Sequence, residues 1–289
     1  MREPFTPEFA DTVSQAIRDA RSAAFSYPDD GPLSEASVFY REHLAIEAMP
    51  EVQREVWSRL SGSALSGAKL ALFSLHDHLN ALETDVARKP PPIWTPLTIA
   101  RGVTESVVLG CYLINPAIDL ETRIARVAGL LVKEADNAYM ADKTLHPSTT
   151  SNRQQVIEEM ARGGITITGD PRRTRVTIGA TSIPADFKVS EEVRRHLAAG
   201  APEPYRLMSG AAHVRPWLLT RTATPTTDGF EGEAATLSAA AFIAMFELEF
   251  WVREWTGYFG LDGSGAIAAL RAVAHDFGEE VLRHFPLDA

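Results

Sequence analysis

Thr95-Pro96-Leu97-Thr98-Ile99-Ala100-Arg101-Gly102-Val103-Thr104-Glu105-Ser106-Val107-Val108-Leu109-Gly110-Cys111-Tyr112-Leu113-Ile114, followed by Asn115-Pro116, is the stretch whose reading decides the fold. A cap-like threonine before a proline starts a helix, because the missing proline amide would have no partner in the first turn anyway. Asn-Pro stops it. Between these signals the residues are apolar enough to place the helix centrally, and Arg101 and Glu105 sit one turn apart on it. A charge pair on a central helix must be compensated. It is either an i,i+4 ion pair that fixes packing or a ligand-facing pair in an interhelical pocket, and in a buried setting removing Glu105 is expected to cost roughly a few kcal/mol.

A second helix follows directly. Asp119 caps it, residues 122–143 carry it, and Ile124, Val127, Leu130, Leu131 and Ala135 form its apolar face, with Arg123, Arg126 and Lys133 expected to reach outward. The two helices read as an antiparallel hairpin over 95–143. Toward the N-terminus the same period recurs. Phe9, Val13, Ala16, Ile17, Ala20 and Ala24 mark a helix over 7–24, and Leu65, Leu72, Leu75, Leu79, Leu82 and Val86 mark another over 65–86. Residues 34–60 read as helix broken near Pro50, with Ser34 as cap. Arg88-Lys89-Pro90-Pro91-Pro92 cannot continue a helix and closes the N-terminal helices, 7–88.

After a polar helix at about 151–162 the period changes. Ile165-Thr166-Ile167-Thr168 and Thr174-Arg175-Val176-Thr177-Ile178 flank Gly169-Asp170-Pro171, a hairpin signal that defines a small β insertion at about 164–181. Helical segments return over 190–285, including one from Pro202 to Val214, a loop or short strand at 220–232, and two long helices at about 233–257 and 263–284. The fold class expected is mainly α: a multi-helix bundle with a small β-hairpin insertion, one domain over 1–289.

Composition narrows the function classes. With 45% hydrophobic residues the chain can bury a core, and 28 basic against 38 acidic residues, a net charge of -10, disfavour a whole-surface affinity for nucleic acid or anionic membrane. The single cysteine, Cys111, lies in an apolar run and reads as a buried small side chain. The N-terminus carries no signal-peptide pattern and no run approaches the ~18 uncharged apolar residues of a spanning helix, so a cytoplasmic location and no membrane partner are expected. There is no P-loop, dinucleotide fingerprint, nucleophile elbow, paired-cysteine pattern, HExxH or ExxH pair. No cofactor and no metal are expected. In His76-Asp77-His78 the imidazoles point about 200° apart on a helix and read as exposed polarity. His275 with Glu279 and His43 with Glu47 each supply at most two ligands where a site needs three or four. Phe242, Phe246, Phe250, Trp251 and Trp255 follow helical spacing and read as core or interface.

A second polar cluster is Tyr205-Arg206-Leu207-Met208-Ser209-Gly210-Ala211-Ala212-His213. Arg206 and His213 are two turns apart, about 10.5 Å of rise, and leave one helix face. Residues 151–225 hold 11 basic and 7 acidic residues, so this cluster lies in a locally basic part of an acidic chain. Arg172, Arg173 and Arg175 at the hairpin tip add to it.

Arg206, six intervening residues and His213 resemble the Arg-x4–6-His signature of the HEPN superfamily of helical-bundle proteins, which includes RNA-cutting toxins. The resemblance implies that Arg206 holds a scissile phosphate and that His213 acts in acid/base transfer or orients the 2′-hydroxyl, in a cleft between two protomers. The wider set, Ala100 to Glu105, Tyr112 to Pro116, Thr122-Arg123 and Tyr205 to His213, resembles a large group of bacterial helical proteins with an arginine–glutamate helix and a Tyr-x3-Ser-x3-His helix. That likeness implies a fold more than an activity.

Three functions follow from these residues. The preferred one is a non-catalytic or regulatory binding protein whose Arg101, Glu105, Tyr205, Ser209 and His213 meet in one interhelical pocket. The alternatives are a HEPN-like endonuclease with Arg206 and His213 catalytic, and a small-molecule enzyme using the same pocket. The partners compatible with them are a second copy of the chain, RNA or a small polar ligand.

Overall fold

A computed structural model describes residues 6–26, 34–89, 92–145, 150–196, 208–209, 211–213, 223–226, 229–232 and 234–284. It is a mainly α bundle with a small antiparallel sheet. In chain order its elements are α1 (Pro7–Ala24), α2 (Val38–Glu47), α3 (Glu51–Val86), α4 (Thr95–Ile114), α5 (Leu120–Leu145), α6 (Arg153–Arg162), β1 (Thr166–Thr168), β2 (Arg175–Ile178), β3 (Thr181–Pro184), α7 (Val189–His196), β4 (Ala223–Thr226), β5 (Gly229–Gly232), α8 (Ala234–Phe259) and α9 (Ser264–His284).

The expected elements are present, with differences at their ends. The cap of α2 is Ser37 rather than Ser34: Ser37 Oγ accepts from the Tyr40 amide at 3.1 Å, whereas Ser34 Oγ holds the Ala36 amide one turn earlier. The helix expected over 65–86 starts at Glu51 and is 36 residues long. Ser61-Gly62-Ser63 does not break it, because Trp57, Leu60, Ala64, Ala68, Leu75, Leu79 and Leu82 form one continuous buried row whose packing outweighs local propensity. Thr95 lies inside α4, which Trp94 precedes without a side-chain cap. The hairpin gains a third strand: β1 pairs with β2 and β2 with β3, Val176 opposing Ile167 on one side and Ile183 on the other. Asp170 Oδ1 accepts from the amides of Arg172 and Arg173 and sets the first turn. The 220–232 stretch contains the β4–β5 pair.

α4 is the central helix, packed against both α3 and α8. Close approach is possible because glycine lies at the crossings. A Cβ on Gly67 of α3 would stand 2.8 Å from Leu113 Cδ1, and one on Gly110 of α4 would stand 2.2 Å from Trp251 Cζ3 and 3.3 Å from Ala71 Cβ. Cys111 is fully buried beside this point. By length and composition α4 and α8 are both apolar enough to cross a membrane, a property that counting uninterrupted apolar residues misses because charges such as Arg101 and Glu247 interrupt each helix. Most of each apolar window is buried within the bundle.

Arg123 does not reach outward. Its side chain is wholly buried, donating from Nε to both carboxylate oxygens of Glu42 at 3.0 Å, from Nη1 to the Leu113 carbonyl at 2.6 Å and from Nη2 to the Asn115 carbonyl at 2.9 Å. The Tyr258 ring lies 4.5 Å from its guanidinium, and the Tyr258 hydroxyl donates to Glu42 at 3.0 Å. One side chain therefore terminates α4, whose last carbonyls lack intrahelical donors, and ties α2, α5 and α8 to it. Arg126 is also drawn inward, donating to the Tyr112 carbonyl at 2.7 Å and lying over the Tyr112 ring. Lys133 pairs with Asp186 beyond β3. Helical periodicity assigns such long polar side chains to the outer face, but unpaired carbonyls at a buried helix end draw them in.

Candidate functional site

Three of the side chains expected to share a pocket meet at one place on α4. Arg101 Nε donates to Glu105 Oε1 at 2.7 Å, one turn along, and Arg101 Nη1 lies 3.3 Å from His213 Nε2. His213 is exposed at the end of the short helical piece around 208–213, and its amide donates to the Ser209 carbonyl at 3.1 Å. Met208 and Ala211 anchor that piece in the core while Ser209 stays half-buried. Tyr205 and Arg206 lie outside the described residues. The structure thus brings Arg101, Glu105 and His213 together, with Ser209 one turn away.

The setting of the ion pair differs from a core position. The Arg101 side chain is 23% exposed and that of Glu105 38%, so solvent reaches both. A large stability role for this pair is therefore corrected: a pair this accessible is worth about 0.2–1 kcal/mol. The contact with His213 also carries chemical information. A guanidinium can only donate, so the imidazole nitrogen that it meets acts as the acceptor in this contact.

On the neighbouring row of α4 the surroundings are again polar. His78 is half-buried against Gly102, where an added Cβ would meet the imidazole at 2.2 Å. Its Nδ1 is 2.7 Å from the Ser74 carbonyl, and Ser74 Oγ is 2.9 Å from Ser106 Oγ. His76 and Asp77 are exposed as expected, but His78 is not. In a 3.6-residue period, position 78 lies beside the buried positions 75 and 79, a signal available from sequence.

Sequence reasoning missed a third polar group entirely. Glu247 of α8 is 1% exposed, and the α4 hydroxyl acting on it is that of Thr104. Burial, only partly offset by Thr104, pushes the Glu247 carboxyl up to about 8. The available signal was the sequence itself, Phe246-Glu247-Leu248-Glu249, with acidic residues in a helix apolar on nearly every side. Glu249 turns outward to Arg253 and Arg271, leaving Glu247 inside.

The other candidates separate. His275 is exposed and lies 3.5 Å from Asp276, and among the described residues no three His, Cys, Asp or Glu side chains converge as a metal set. Of the α8 aromatics, Trp251 and Trp255 are buried and stacked with ring centroids 5.4 Å apart, whereas Phe242 and Phe246 are exposed. No family model, curated protein or solved structure matches this chain.

Proposed function

We propose that the chain is a binding protein without catalysis of its own, which recognises a small anionic ligand at the Arg101–Glu105–His213 cluster. The observation that carries this reading is the position of Arg101 between a carboxylate at 2.7 Å and an imidazole at 3.3 Å on a solvent-accessible helix face. Glu105 aims the guanidinium, whose planar fork suits carboxylate and phosphate oxygens. His213 adds an imidazole beside the guanidinium, a second group able to hydrogen-bond a polar ligand.

Catalysis would ask other things of the same groups. A general base needs its lone pair directed at a substrate proton, whereas the Nε2 lone pair of His213 faces Arg101, and Glu105 faces Arg101 as well. The test is a titration with inorganic phosphate followed by NMR, together with incubation of the protein with RNA. Phosphate should shift the His213 ring resonances in wild type and not the corresponding site in Arg101→Ala, while RNA stays intact. RNA cleavage by wild type that disappears in His213→Ala would establish the endonuclease alternative instead.

A further inference from the structure

Glu247, Trp251 and Glu254 lie at i, i+4 and i+7 on α8 and therefore share one side of the helix. Thr104 acts on Glu247 from α4, and Cys111, two turns further along α4, lies close enough to feel both acidic side chains. Among the described residues, Glu247 Oε1, Trp251 Nε1 and Glu254 Oε2 are buried around this seam without a hydrogen-bond partner, and Thr104 Oγ1 approaches Glu247 without completing a hydrogen bond. Few buried polar atoms are left unpaired in a native fold, and a run of four in one helix seam calls for a physical explanation.

A proton on Glu247 accounts for the Glu247 and Thr104 atoms. A sealed carboxylate with no cation beside it is strongly disfavoured, whereas the neutral acid is tolerated and can donate to a hydroxyl such as Thr104. We propose that Glu247 is a proton-binding switch in the α4/α8 seam: protonated, it lets the two helices close on each other, and ionised, it loosens them.

The surrounding charges leave this role to Glu247. From α4 the titratable neighbour is Cys111, whose thiol is pushed up by burial and by Glu254 and Glu247. On α8 itself Glu254 is raised by burial and opposed by Arg253 and, from α5, Arg123. Arg271 of α9 is held by Glu249, and Glu42 of α2 is held by Arg123 and Tyr258. No charged side chain of α1, α2, α3 or α9 is among the influences on Glu247, which are burial and Thr104.

The direction of the pH effect follows. The folded chain keeps a proton up to about pH 8 that the unfolded chain releases near 4.5. The stabilisation is therefore complete below about 4.5 and lost as pH rises to about 8. The experiment is an NMR titration of the Glu247 side-chain carboxyl carbon in the whole protein, beside melting curves of wild type and Glu247→Gln across the same range. A midpoint near 8, with wild type losing melting temperature relative to Glu247→Gln as pH rises, is the expected result. A midpoint near 4.5, or parallel melting profiles, overturns the proposal. Where Glu247→Gln fails to fold, the wild-type midpoint decides.

Discussion

Arg123 and Arg101 begin on consecutive helices of the chain and end in opposite circumstances. Arg123 is wholly buried, with Glu42, two main-chain carbonyls and an aromatic ring around it. Arg101 lies partly open to solvent, between one carboxylate oxygen and one imidazole nitrogen. The difference is one of enclosure. An arginine enclosed by backbone carbonyls at a helix end holds the fold, while one paired on an accessible face contributes little to stability.

The sharpest way to break this comparison is Glu42→Ala. It leaves the Arg123 guanidinium buried without its counter-charge and should lower stability by about 3–5 kcal/mol in urea unfolding. A loss below 1 kcal/mol would mean that Arg123 is not the internal clamp described. Next comes Gly110→Ala, where the added methyl meets Trp251. Helix propensity favours alanine by ~1 kcal/mol, but overpacking costs about 1–3 kcal/mol, and Trp251 is too enclosed to move aside. A net loss is expected, and a gain would show that α4 and α8 pack less closely.

Glu105→Ala tests the other arm. It should cost only about 0.2–1 kcal/mol by thermal or urea unfolding, far less than Glu42→Ala, because water replaces the lost partner. Equal losses from the two substitutions would erase the distinction between the arginines. The smallest effect concerns Cys111. Burial holds its thiol well above its ordinary range, so an alkylating reagent should leave it unmodified in folded protein and react only on unfolding. Rapid labelling under native conditions would contradict the closed seam.

Much of the fold was legible in the sequence because burial imposes a period. The two helices over 95–143, the β insertion after Gly163 and the long C-terminal helices followed from apolar spacing and from Pro, Gly and Asp at the turns, whereas α4 packs chiefly on α3 and α8 rather than on α5. The length of α3 was not, since Ser61-Gly62-Ser63 favours a break locally and only the row of buried neighbours decides otherwise. For the candidate site, the pairing of Arg101 with Glu105 was visible as an i,i+4 spacing. Its contact with His213, 112 residues later and at 3.3 Å, depends on tertiary packing that local spacing does not carry. Glu247 went unnoticed because a period identifies a helix's faces without saying how many of them are covered.

What the sequence alone determined is the class of the molecule: a bundle centred on α4, with punctuation that sets where most elements start and stop. Only tertiary structure decided the fate of each charge. Arg123, Arg101 and Glu247 are each a charge set in a helix with an apolar face, and local spacing does not rank their burial. Their energies depend on solvent access and on which atoms arrive from distant parts of the chain, and neither quantity is encoded in local spacing.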